Sequence, residues 1–116
     1  MKYTVVLNNG IDFTLNVENL ITNEFVEGVN DSNIQFFNIG ELVINKQELM
    51  YMHPVDEQSE ARAYNVMIRG GKTLKAYDDN FNVSDLMTKL NDRSRIVVAV
   101  GNTIVNTHLI SVVVPA

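Results

Sequence analysis

The chain has 116 residues, enough for one ordinary domain or two very small ones. Nine Lys and Arg stand against 14 Asp and Glu, a net charge of −5, with 46% apolar and 20% charged residues; this is globular composition, and its acidic balance argues against a general grip on nucleic acid. The absence of cysteine removes disulfides, thiolate metal sites and cysteine nucleophiles, and no apolar run approaches the ~20 residues of a membrane span.

The N-terminus opens on Tyr3-Thr4-Val5-Val6-Leu7, a strand rich in β-branched residues, whose apolar part is too short for a signal peptide. A soluble cytoplasmic protein is therefore expected. Asn8-Asn9-Gly10 is a hairpin signal, and Ile11–Glu18 alternates apolar and polar residues, so one face is buried and one wet. A short helix follows, with Asn23, Glu24, Phe25, Val26 and Val29, and Asn30 is suited to end it in a left-handed conformation. Ile34–Ile39 is a nearly continuous apolar run, which predicts burial on both faces. Gly40-Glu41 reads as a two-residue turn with Gly first, and Leu42-Val43-Ile44 returns. After a break at Asn45-Lys46-Gln47, where Asn suits an Asx turn, comes a last strand, Leu49–His53.

Residues 55–63 are polar and without period and read as a linker. Beyond them the same order returns. A shift of 61 lays Tyr3–Pro54 on Tyr64–Pro115 without a gap. Nine positions are identical: Tyr3/Tyr64, Val5/Val66, Gly10/Gly71, Asn19/Asn80, Asn30/Asn91, Asp31/Asp92, Gly40/Gly101, Asn45/Asn106 and Pro54/Pro115. About three are expected from ordinary residue usage. In the second segment Arg69-Gly70-Gly71 marks the hairpin. Ser84 is the expected N-cap, Asp85 suits the helix start, and Leu86, Met87 and Leu90 form one expected buried stripe. Ile96–Val100, the turn Gly101-Asn102, Thr103-Ile104-Val105, the break Asn106-Thr107-His108 and Leu109–Val114 complete the series. The chain thus reads as a tandem duplication, residues 1–54 and 64–116, each β-β-α-β-β-β. The fold class is β-dominated α+β. Five short, bent strands in so few residues predict a small partly open barrel in each repeat, and units of this size are expected to pack on each other.

The ending Asn106-Thr107-His108-Leu109-Ile110-Ser111-Val112-Val113-Val114-Pro115-Ala116 resembles the second Sm motif of the bacterial Sm-like RNA chaperones, in which a polar pair ending in His leads into a strand of the form Ile-Ser-x-Val-Val-Pro. His108, Ile110, Ser111, Val113, Val114 and Pro115 would correspond. Val6-Leu7-Asn8-Asn9-Gly10-Ile11 is similar to that family's strand and Asn-Gly-Ile entry. The match covers about 17 residues split over both repeats. The family's helix comes first, whereas here a helix interrupts the strands; Thr107 stands where the family has a basic residue, and Gln47 replaces the histidine in the first repeat. The resemblance implies an SH3-like or Sm-like barrel more than it implies RNA binding. Ile44-Asn45-Lys46-Gln47-Glu48-Leu49 before a strand and Pro also looks like small proteins of Gram-positive phages and mobile elements.

Candidate chemistry is sparse. His53 and His108 occupy unmatched positions of the repeats and lack metal-ligand spacing, so an exposed or capping role is expected for both. Asp78-Asp79 has the look of a solvated turn rather than an acid/base pair. Gly70-Gly71 is too short to cradle phosphate, and Ser59, Ser84, Ser94 and Ser111 lack a nucleophile-elbow context. No enzyme activity, cofactor or metal is expected.

Charge is more informative. Residues 1–54 carry two lysines against seven acids, and residues 64–116 carry six basic residues against four acids. The leading expectation is a non-enzymatic protein-interaction module of phage or mobile-element type, binding and inhibiting a host or viral protein through an acidic face of Glu18, Glu24, Glu27 and Asp31. A nucleic-acid-binding barrel using Arg69, Lys72, Lys75, Arg93 and Arg95, with Tyr77 or Phe81 stacking a base, is the second reading, which net charge disfavours. The third is a structural subunit that self-associates through sheet edges. Docking of the oppositely charged halves on each other is also compatible with the split.

Overall fold

The computed structural model describes residues 1–116, with ten strands and two helices. In chain order these are β1 Lys2–Leu7, β2 Asp12–Asn16, α1 Thr22–Val29, β3 Phe36–Ile39, β4 Leu42–Asn45, β5 Leu49–Pro54, β6 Ala63–Ile68, β7 Thr73–Tyr77, α2 Val83–Asn91, β8 Val97–Val100, β9 Thr103–Asn106 and β10 Ile110–Pro115. Single 3₁₀ turns, Lys46–Glu48 and Thr107–Leu109, precede β5 and β10. The same succession of elements therefore occurs twice, with starting residues 61 apart apart from small differences at helix ends. Phe25 lies in α1 and Leu86 in α2.

Local chemistry explains the connections. At the β1–β2 hairpin the Gly10 N–H donates to the Leu7 carbonyl at 3.0 Å and Gly10 takes φ +87°; Gly71 repeats that φ between β6 and β7, where its N–H donates to Ile68. Such a left-handed residue closing a hairpin is cheap only for glycine. In both breaks an asparagine forms the expected Asx turn: the Asn45 carboxamide accepts the Gln47 N–H at 3.0 Å, and that of Asn106 accepts the His108 N–H at 2.9 Å.

Several local expectations are corrected. Asn82, not Ser84, caps α2: it is extended at φ −131° and its Oδ1 accepts the Asp85 N–H at 2.9 Å. Asn30 ends α1 at φ −78°, in the right-handed region, and Asn91 is still helical; neither is left-handed. At Asn30 the backbone keeps the right-handed sense, its N–H donating to the Val26 carbonyl and that of Asp31 to Gly28.

All pairings are antiparallel. One five-stranded sheet runs β2-β1-β5-β9-β8, a three-stranded sheet runs β10-β6-β7, and β3-β4 is a separate hairpin. The sheets are open. The large sheet takes strands from both halves of the chain, joined where β5 meets β9 with Tyr51 opposite Val105 and Met52 opposite Ile104. Two hydrophobic cores result. The first gathers Val5, Val26, Val29, Leu49 and Met52 of the N-terminal half together with Val97 and Ile104 of the other half. The second gathers Val66, Leu74, Ala76 and Leu86 with Val98, Val100 and Val105, and includes Tyr51 from β5.

The apolar run of β8 follows from this position. Val97 enters the first core and Val98 and Val100 the second, so the strand is buried on both faces, as its composition predicts. Its counterpart differs. In β3, Phe36 and Asn38 are exposed while Phe37 and Ile39 are buried, so this strand has one wet face, contrary to the expectation for Ile34–Ile39. No helix is long and apolar enough to cross a membrane.

Candidate interaction surface

The seam between the halves is polar at its rim and apolar at its centre. The β8–β9 hairpin lies across α1 and β5. The Asn30 Oδ1 accepts the N–H groups of Ile96 at 2.7 Å and Val97 at 3.0 Å, and its Nδ2 donates to the Val97 carbonyl at 2.9 Å. Asn106 Nδ2 donates to the Leu49 carbonyl at 3.0 Å. At the hairpin tip Asn102 accepts the Thr22 hydroxyl at 3.1 Å and donates to the Glu57 carboxylate at 2.9 Å. Arg95 meets Glu27 at 3.0 Å. His53 Nδ1 hydrogen-bonds the Thr103 hydroxyl at 2.8 Å.

These contacts relocate several residues singled out in the sequence. His53 is not an exposed or capping histidine but a half-buried one at the seam, and burial lowers its pKa below the ordinary imidazole value, with Lys72 adding to the effect and Glu57 opposing it. His108 is exposed in the 3₁₀ turn. Tyr3, beneath the seam, has its phenol pushed upward by burial and by the Glu57 charge. Of the acidic set, Glu18, Glu24, Glu27 and Asp31 are all exposed, but Glu27 is engaged by Arg95 and the Asp31 carboxylate accepts the Asn33 N–H. Of the basic set, Arg69, Lys72, Lys75 and Arg93 are exposed and Arg95 is mostly covered. Lys72 Nζ lies 5.9 Å from the Tyr51 ring centre and Lys75 Nζ 5.8 Å from that of Tyr77. Glu27 and Arg95, one from each set, pair across the seam.

Asp78 and Asp79 serve as turn acceptors. Asp78 takes the N–H groups of Asn80 and Gly101, and Asp79 that of Arg62. Asp92 likewise accepts both the hydroxyl and the N–H of Ser94, which holds its carboxyl below the usual range, with Arg95 contributing.

The C-terminal half has a face that corresponds to the seam but carries nothing. Between α2 and β10 lies a cleft of about 570 Å³, lined by Tyr64, Phe81, Leu86, Met87, Val112 and Val113 among others, nine of its 13 lining residues being apolar. β10 is a sheet edge, with β6 on one side only. Met87 is 56% exposed, whereas Val26, at the same place in α1, is 4% exposed beneath the seam. The expected burial of Met87 in the α2 stripe is therefore corrected: Leu86 is buried, Leu90 half-buried and Met87 open. The hairpin β3–β4 shows the reciprocal exposure. Phe36 and Val43 are 53% and 73% exposed, whereas Val97 and Ile104, their counterparts in β8 and β9, are fully buried.

Periodicity assigns Met87 to the buried stripe of α2, and Val43 stands in a continuous apolar strand. Only knowledge of which hairpin covers which helix shows that they are left open. No protein-family model matches the chain, and no curated protein or solved structure is significantly similar to it.

Proposed function

We propose that this chain is a non-enzymatic protein-interaction module whose docking surface is the cleft between α2 and β10. The observation that carries this reading is an apolar cleft of about 570 Å³ bordered by an unpaired strand edge and an exposed methionine. An edge strand offers main-chain hydrogen bonds to an added strand, and alternate side chains set specificity. Met adapts to irregular surfaces. The acid-rich half, where Glu18 and Glu24 are exposed, adds a charge complement for a basic partner.

The two halves are read further as copies of one SH3-like or Sm-like unit in which a hairpin is given across to the neighbouring copy. Support comes from the shared element order and from the equal φ values at Gly10 and Gly71.

The test is co-purification with the immobilised chain from its native cell, with and without nuclease. A protein retained by the wild type, lost with Met87→Lys and indifferent to nuclease supports the reading. Nuclease-sensitive capture lost on reversing Lys72 and Lys75 would instead favour nucleic-acid binding.

A further inference from the structure

We propose that the cleft between α2 and β10 receives the β3–β4 hairpin of a second copy of this chain, giving head-to-tail self-assembly; the proposal rests on the protein-interaction reading above and names its partner. The occupant is identified by the seam inside the chain. There a hairpin, β8–β9, lies on a helix and a strand, α1 and β5. The equivalents of the receiving surface are α2 and β10, and the equivalent of the inserted hairpin is β3–β4. Within one chain β4 and β10 do not pair, so both equivalents are left open, the one as a cleft and the other as an exposed hairpin.

The pairing has a definite register. As Tyr51 faces Val105 and Met52 faces Ile104, Val112 would face Ile44 of the second copy and Val113 would face its Val43. The exposed side chains match. Val43 and Phe36 of the hairpin enter where Met87 and Val83 of the cleft stand open, beside Val113. The seam's polar contacts also have residues to reproduce them. Asn91 occupies the place of Asn30, and Asn45 that of Asn106, whose Nδ2 reaches the carbonyl of the facing strand. Long-range charge favours the same orientation, because the hairpin belongs to the acid-rich half and the cleft to the basic one, with Arg62 on its wall. Two different surfaces meet, so the contact is heterologous and one chain can bind a neighbour at each end.

The experiment is sedimentation velocity of the full chain from about 1 μM to about 1 mM, the span of weak to moderate association. The wild type is expected to exceed its 13.1 kDa monomer mass progressively with concentration. Val43→Lys damages only the hairpin and Met87→Lys only the cleft, and each alone is expected to weaken association by at least about tenfold, since a lysine cannot be desolvated there without a partner. Mixed in equal amounts, they should form a heterodimer and nothing larger, because one sound hairpin meets one sound cleft. Circular dichroism checks folding, and Val83→Lys replaces Met87→Lys should the latter unfold. A wild type that stays monomeric throughout overturns the proposal, as does a mixture that remains monomeric while the wild type assembles. If the wild type is monomeric but Met87→Lys abolishes capture of a different protein, the second-copy proposal fails and the interaction module stands. If it is monomeric and Met87→Lys changes no interaction, both fail.

Discussion

Asn30 grips Val97 with both ends of its carboxamide: Oδ1 accepts the Val97 N–H at 3.0 Å and Nδ2 donates to the Val97 carbonyl at 2.9 Å. One side chain at the end of α1 thereby satisfies the start of the outer edge of β8, which has β9 on its other side. The same residue type stands at Asn91, exposed and without a side-chain hydrogen bond. Two asparagines at equivalent positions thus differ in whether a strand lies against them, besides a one-residue difference in where their helices end.

Asn30→Ala should therefore lower stability by about 1–3 kcal/mol, because it leaves the half-buried Ile96 and Val97 amides unpaired. Asn91→Ala should change monomer stability by no more than about 0.5 kcal/mol. Urea unfolding of both variants at low protein concentration measures the difference. Equal losses would show that Asn30 acts through α1 itself and not through the seam.

Much of the element order is legible in the sequence because it depends on local chemistry. Gly10, Gly71, Asn45 and Asn106 favour turns through their own local chemistry. Alternation in Ile11–Glu18 marks one apolar face, but the structure covers only part of it: Leu15 and Val17 are half-buried, whereas Ile11 and Phe13 on the same face are exposed at the sheet edge. The sharing of strands is not legible. Strand composition says that a face is covered and not what covers it: Ile104 and Val43 are equally apolar, yet only Ile104 is buried. The cap of α2 was open to misreading for a related reason. Asn82 and Ser84 are both capping residues two positions apart, and only the extended backbone at Asn82 selects it. The seam role of His53 depends on Thr103, 50 residues away.

His53 makes stability depend on pH. Its folded-state pKa lies below the ordinary value of 6.5, chiefly through burial, so the unfolded chain takes up the proton first. Stability is then fully present above about pH 6.5 and declines as pH falls through that value toward the lowered one. His53→Gln should remove this slope. The check is thermal unfolding of both proteins at several pH values between about 7.5 and 5. An identical slope in the variant would assign the dependence to another group. Asp92 acts in a separate window, since its depressed carboxyl loses its contribution only in stronger acid, below its ordinary 3.8.

The pair formed by Glu27 and Arg95 separates two acids that are adjacent on α1. Glu27→Lys puts a cation in place of the carboxylate that Arg95 Nη1 meets at 3.0 Å and should destabilise by up to about 1 kcal/mol. Glu24→Lys touches no such partner and should stay within about 0.5 kcal/mol. Raising salt should shrink the Glu27→Lys loss, because part of it is screened repulsion. Denaturation midpoints at low and high ionic strength decide this. A loss at Glu24 equal to that at Glu27 would mean that helix α1 and not the seam is being weakened.

Gly40 and Gly101 begin equivalent two-residue turns with nearly equal backbone angles, φ +57° and +58°. A side chain at Gly40 meets nothing, so Gly40→Ala should cost about 1 kcal/mol from the left-handed conformation alone. At Gly101 an added Cβ would overlap the Tyr77 carbonyl oxygen, which is backbone and cannot rotate aside. The turn cannot easily move away either. The Gly101 N–H donates to Asp78, and the next residue, Asn102, is tied to Thr22 and Glu57. Gly101→Ala should therefore cost at least about 2–3 kcal/mol, the strain adding to the clash. Urea midpoints of the two variants test the contrast. Equal losses would mean that the β8–β9 turn is as free as the β3–β4 turn, and that the seam does not hold its tip.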